Sequence, residues 1–109
     1  MVQIELEKLT QGKVRMLSGH ERGKEARLLF KLRRYESEDD QISVVAPENL
    51  DTVTPSFVQG LLGEGVATSG AELIDAKYDF SEMRVELIED FEIGMRRLKS
   101  LSNAKKGKS

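Results

Sequence analysis

The sequence has no cysteine, only two prolines and a single histidine. No stretch of it is both apolar and long enough to cross a bilayer. Without cysteine there is no disulfide framework and no thiolate chemistry, which suits a cytoplasmic protein. The lone histidine, His20, stands in the first turn of a helix start, two residues after Ser18. Residues two apart do not face each other on a helix, and no third group is placed to orient them, so a Ser-His nucleophilic pair is not expected. Neither sign of charge dominates, with 17 Lys and Arg against 19 Asp and Glu, a net charge of −2. That balance gives no reason to expect nucleic acid or an anionic membrane as partner. The start, MVQIELEKL, lacks a basic-then-apolar signal pattern, so a soluble protein is expected. The 109 residues suffice for one domain with a modest core.

What is present centres on Ile42 to Gly63, ISVVAPENLDTVTPSFVQGLLG. Ile42, Val44 and Val45 suit a strand buried on both faces, and Pro47 ends its ladder. Thr54-Pro55-Ser56-Phe57 is a helix start: Thr54 is the N-cap and Pro55 fills the first helical position, where its missing N–H costs nothing. Phe57, Val58, Leu61 and Leu62 share one helical stripe. Gly63 and Gly65 are expected to stop that helix. Free N–H groups at a helix start, at the carboxyl end of a strand, mark the usual binding edge of an α/β protein. The candidate binding or switch residues are therefore Asp51, Thr54, Ser56 and Phe57. The plain alternative is that Thr54 only caps and Ser56 is only a tolerated first-turn residue.

Around this unit, Val2, Ile4 and Leu6 alternate with polar residues as a half-buried strand. Gly12 is a turn residue, and Val14, Met16 and Leu17 form a second strand, the pair reading as a β-hairpin. Ser18 and Glu21 match a capping box opening a helix to about Tyr35, with Gly23, Ala26, Leu29, Phe30 and Arg33 on one face. Glu36 to Asp40 is an acidic loop without the ligand spacing of a calcium site. Gly63 to Gly70 reads as a small-residue link, and residues 71–76 fit either helix or strand. A strand is expected near Lys77–Ser81. A last helix opens at Ser81 or Glu82, with Ile88, Phe91, Met95 and Leu98 on one face and Val85 and Leu101 extending it. That face is core or, alternatively, a homodimer surface. Residues 1–101 are the domain, and 102–109 are a polar, basic tail expected to be disordered.

The residues VTPSFVQGLLG after a valine-rich strand, with Ser18-Gly19 and Arg22 to Phe30 upstream, resemble the STAS-like bacterial domain family of unassigned function. That family is a distant relative of the STAS domains of anti-sigma-factor antagonists and sulphate transporters. The resemblance spans roughly Ser18 to Leu98. It implies a STAS-like α/β fold and a regulatory, partner-binding role. Anti-sigma-factor antagonists carry an Asp-Ser-Ser/Thr-Gly turn whose first serine is phosphorylated. Here Thr54 takes the aspartate position, Pro55 that serine and Ser56 the second hydroxyl, so a phosphate would have to go to Thr54 or Ser56.

The fold class expected is α/β: a small mixed sheet of about four strands with about three helices, in the order β-β-α-β-α-β-α. The function expected is a non-enzymatic protein-interaction domain docking a protein partner through residues 49–57. The alternative is a small-molecule or nucleotide-binding module using the helix start at Thr54–Phe57. No catalytic constellation, metal spacing or cofactor motif is recognisable.

Overall fold

In a computed structural model of the chain, residues 2–107 are described, with side chains described as far as residue 101. Among these residues the order is β1 (Val2–Glu5), α1 (Glu7–Thr10), β2 (Met16–Leu17), α2 (His20–Leu29), α3 (Leu32–Glu36), β3 (Ile42–Val45), β4 (Thr52–Val53), α4 (Pro55–Ser69), α5 (Ala71–Lys77), β5 (Tyr78–Asp79) and α6 (Val85–Gly107). The class is α/β. The strands form two small sheets, β1-β3-β5 and β2-β4, and every pairing is parallel.

The expected hairpin and mixed sheet are therefore corrected, as is the order β-β-α-β-α-β-α. Val2 pairs with Ile42 and Met16 with Thr52, so β1 and β2 join different sheets. Alternation along β1 gave the buried face, but nothing local says which strand lies alongside. Gly12 does adopt positive φ, at 72°, yet it follows the short helix α1 rather than closing a hairpin.

β3 is the central strand of its sheet; Ile42 and Val44 are buried as expected, Ser43 is buried with them, and Val45 is only half-buried. The axis of the molecule is α4. It packs against α2 along one side and against α6 and α5 elsewhere. Thr54 caps it and Pro55 opens it as expected, and Phe57, Val58, Leu61 and Leu62 are at most 2% exposed. The expected stop at Gly63 and Gly65 is not one: α4 runs on to Ser69 and ends at Gly70. Two glycines cost a helix roughly 1 kcal/mol each, a sum that burial of Leu61, Leu62 and Val66 on the same helix exceeds. A Cβ on Gly63 would lie 3.7 Å from Leu98, an ordinary contact. Gly63→Ala should therefore stabilise the fold by about 0.5–1 kcal/mol, read as a higher urea midpoint at unchanged slope.

Gly23 and Ala26, small residues on one face of α2, let that helix lie close against α4. A Cβ on Gly23 would sit 2.7 Å from Leu61 N and 2.9 Å from the Gly60 Cα. The helix expected to reach Tyr35 breaks at Lys31, which takes a left-handed φ of 56°. The break buries Phe30 and Leu32 together while leaving Leu29 and Arg33 exposed, contrary to the expected face. At the other end the N-cap is Gly19, at φ 96°, with no side-chain cap from Ser18. Residues 71–76 are helical, and the expected strand at Lys77–Ser81 is Tyr78–Asp79. α6 opens at Val85 rather than at Ser81 or Glu82. It buries Leu87, Phe91, Met95 and Leu98 and half-buries Ile88, while Val85 and Leu101 stay exposed. The face proposed for a homodimer is thus largely used by the core. The α6 backbone continues through Gly107, into the segment read as a tail, and the final two residues of that tail lie outside the described residues. Among the described residues no helix is long and apolar enough to cross a membrane.

Candidate functional site

Because β2 and β4 run parallel, their carboxyl ends fall at one edge, and α2 and α4 both begin there. The connection from β3 through β4 to α4 crosses this edge as a crest, and its backbone is held from three directions. From the β2 side, the Arg15 carbonyl accepts from Asp51 N at 2.8 Å and the Leu17 carbonyl accepts from Thr54 N at 2.9 Å. From the turn after α1, the Gly12 carbonyl accepts from the Asn49 amide at 2.9 Å. From α6, one carboxylate oxygen of Asp90 accepts from the Thr52 hydroxyl at 2.9 Å and from Val53 N at 3.0 Å. The Arg84 guanidinium donates to the Leu50 carbonyl, and the Leu50 side chain is fully buried beneath the crest.

The four expected site residues divide. Asp51 is exposed and receives the Arg15 guanidinium at 2.8 Å, and that bond raises the pKa of Arg15. Thr54 is half-buried. Its hydroxyl oxygen accepts from Phe57 N at 3.3 Å and lies 3.1 Å from the Ser56 hydroxyl. Ser56 is exposed. Phe57 is 1% exposed and belongs to the core, so its side chain offers nothing at the crest, and its amide is already engaged by the cap. Phe57 instead helps line a cleft of about 350 Å³ between α1 and α2, together with Leu9, Leu17, Ala26 and Leu29. The crest thus presents Asp51 and Ser56 on a fixed backbone, with Thr54 partly covered.

Asp90 and Arg84, which fix the crest, lie in or just before the last helix. An acidic residue near a helix start reads as a dipole partner, and nothing in that pattern points to a crest 37 residues away.

A second polar cluster also escaped the sequence. Arg27 and Glu36 are each only 5% exposed at the side chain. The Arg27 guanidinium donates to both Glu36 oxygens, at 2.9 and 2.6 Å, and to the Leu61 carbonyl at 3.0 Å. The Tyr78 hydroxyl donates to Glu36 at 2.6 Å. Glu64 approaches the Arg27 Nε at 3.6 Å. Burial works against the charged Arg27, but the hydrogen bonds and charge of Glu36 outweigh it and hold the guanidinium pKa above its ordinary value. Burial pushes the Tyr78 phenol far up, and the Glu36 carboxylate adds to the shift. The available signal was position: Arg27 is four residues from Gly23 and three from Phe30, inside the stripe that packs on α4. The cluster ties α2, α3, α4 and β5 together. It leaves no unpartnered buried side-chain atom among the described residues, and its phenol is held protonated, which makes it a structural tie rather than a nucleophile or base.

Among the described residues no group of three or more His, Cys, Asp or Glu side chains is placed to hold a metal ion. Comparison of the chain with family models, with curated proteins and with solved structures returns no match.

Proposed function

We propose that this chain is a non-enzymatic regulatory domain of STAS-like type that docks a protein partner on the crest, residues 49–57. The observation that carries the reading is the contrast between frame and face. The crest backbone is held by Gly12, Arg15, Leu17 and Asp90, while the side chains of Asp51 and Ser56 stay exposed, one paired with the exposed Arg15 guanidinium and the other beside the Thr54 hydroxyl. A surface already fixed before docking avoids much of the ordering cost of association. The STAS-like element of the proposal rests on the run from the valine-rich strand through Thr54-Pro55-Ser56-Phe57 to an apolar helix. An anion cradle at the same helix start has less support, because the cap occupies the Phe57 amide and Pro55 has none to give.

Within this reading Ser56 is the switch. A phosphate on it would add charge of about −1.5 to −2 to a crest whose one carboxylate, Asp51, is already paired with Arg15. The test is affinity purification of the tagged chain from its own host, with Ser56→Asp and, as a control on the exposed face of α6, Ser100→Asp. A partner retained by the wild type and the Ser100 variant and lost from the Ser56 variant is expected. Identical partner sets for all three would remove the crest from the interface.

A further inference from the structure

α2 ends in two exposed leucines, Leu28 at 78% and Leu29 at 58%. They stand between two clefts: the one against α1, and a second of about 510 Å³ bordered by Lys31, Arg33, Arg34 and Glu64. Lys8, Arg22, Lys31 and Arg33 line these clefts and form no ion pair among the described residues. Glu25, Glu38 and Glu64 are the carboxylates nearby, with Glu38 matched to Arg34 and Glu64 to Arg27. The α2–α3 face is therefore apolar and locally basic, on a chain whose net charge is −2.

The converse surface lies on α6. The outward side of its first three turns carries Val85, 61% exposed, and Ile93, 38% exposed, among Glu86, Glu89 and Glu92, with Arg96 and Arg97 following one turn beyond Ile93. None of these three glutamates forms an ion pair among the described residues. α2 and α6 each pack on α4, which lies between them, so the two faces of one copy do not meet. They match each other in kind: two branched apolar side chains on each face, with an excess of base around Leu28 and Leu29 and an excess of acid around Val85.

We propose that the α2–α3 face of one copy docks the first turns of α6 on a second copy, giving head-to-tail self-association. The occupant is argued from charge complementarity with a surface present on the same chain, and it is independent of the crest reading. Because the two faces differ, the contact is heterologous, and each copy keeps one free face of each kind. Growth past a dimer follows unless the rotation closes a ring.

Light scattering coupled to size exclusion tests this with the wild type, two double variants, their mixture and Ser56→Asp. Leu28→Ser/Arg33→Ser disables the basic face, and Val85→Ser/Glu89→Ser disables the acidic one. All four residues are exposed, so both proteins should keep the wild-type circular dichroism spectrum and urea midpoint. In salt of about 0.01 M, where screening reaches only beyond some 30 Å, wild-type mass should rise at least two-fold with concentration, and it should fall to the monomer in about 1 M salt. Each variant alone should remain a monomer. Mixed, they should form a one-to-one dimer and nothing larger, since only one intact face of each kind remains. A wild-type monomer up to about 1 mM in low salt overturns the proposal. So do variants that associate as the wild type does, or association abolished by Ser56→Asp instead. A monomer that sediments with phosphatidylserine vesicles would assign the leucines to a lipid surface and likewise overturn it.

Discussion

Replacing Gly60 with alanine should lower the free energy of unfolding by about 3 kcal/mol, at the upper end of what overpacking a close-packed contact costs. The new methyl would meet the His20 carbonyl, with the His20 carbonyl carbon at 2.9 Å and Lys24 N at 3.0 Å. These are backbone atoms of α2, and no rotamer change can move them aside. For a domain whose total stability is on the order of 5–15 kcal/mol, that loss is large. Gly23→Ala attacks the same crossing from the opposite helix and should cost a similar amount. If α2 shifts outward to admit one methyl, it partly admits the second, so the double variant should cost less than the two single losses together. Urea unfolding reads all three. A Gly60→Ala protein within about 0.5 kcal/mol of wild type would mean that α2 and α4 do not cross backbone to backbone.

Glu36→Gln should cost about 3 kcal/mol, because Arg27 then keeps a full charge at a buried site with only the solvent-exposed Glu64, 3.6 Å from its Nε, to balance it. Arg27→Met added to Glu36→Gln should recover part of that loss, since the stranded charge is gone. If the double variant is instead worse than Glu36→Gln alone, the ion pair is not what holds this junction. Tyr78 adds a pH signature. Its pKa is raised in the folded state, so its contribution is complete below the unfolded value of about 10 and is lost as pH climbs above it. In that range stability should fall with a slope of about 1.4 kcal/mol per pH unit from this group alone, and Tyr78→Phe should remove that component. Equal alkaline slopes in the two proteins would show that the phenol titrates while folded.

The parts of the fold legible in the sequence are those whose cause is local. Thr54 and Pro55 open α4 because a cap and a fixed φ act within one turn. Ile42 and Val44 are buried because a strand this rich in β-branched residues suits the centre of a sheet, and the small Ser43 between them is buried too. Phe91, Met95 and Leu98 lie inward because helical spacing puts them together. What was not legible depends on partners distant in sequence. The bend at Lys31 has no local signal, and its outcome is that Glu36 swings back to meet Arg27. Gly63 and Gly65 look like a stop until the surroundings of α4 are known. The crest was found from its helix start, but the groups that hold it, Arg15 just before β2, Arg84 just before α6 and Asp90 in α6, are ones that only the folded chain brings there.

The parallel pairings also govern the order in which the protein can be made. β1 has no neighbour until Ile42 exists, β2 has none until Thr52, and β3 gains its second only with Tyr78. No hairpin is available as an early nucleus, and each ladder must await closure of a long loop, which slows folding relative to helical bundles of similar size. On the ribosome, then, the first forty residues emerge with apolar strand edges that nothing yet covers. Pairing of β1 with Ile42–Val45 and of β2 with Thr52–Val53 comes first, and assembly of α2 on α4, through the Gly23–Gly60 crossing, then packs the amino-terminal third of the chain in place.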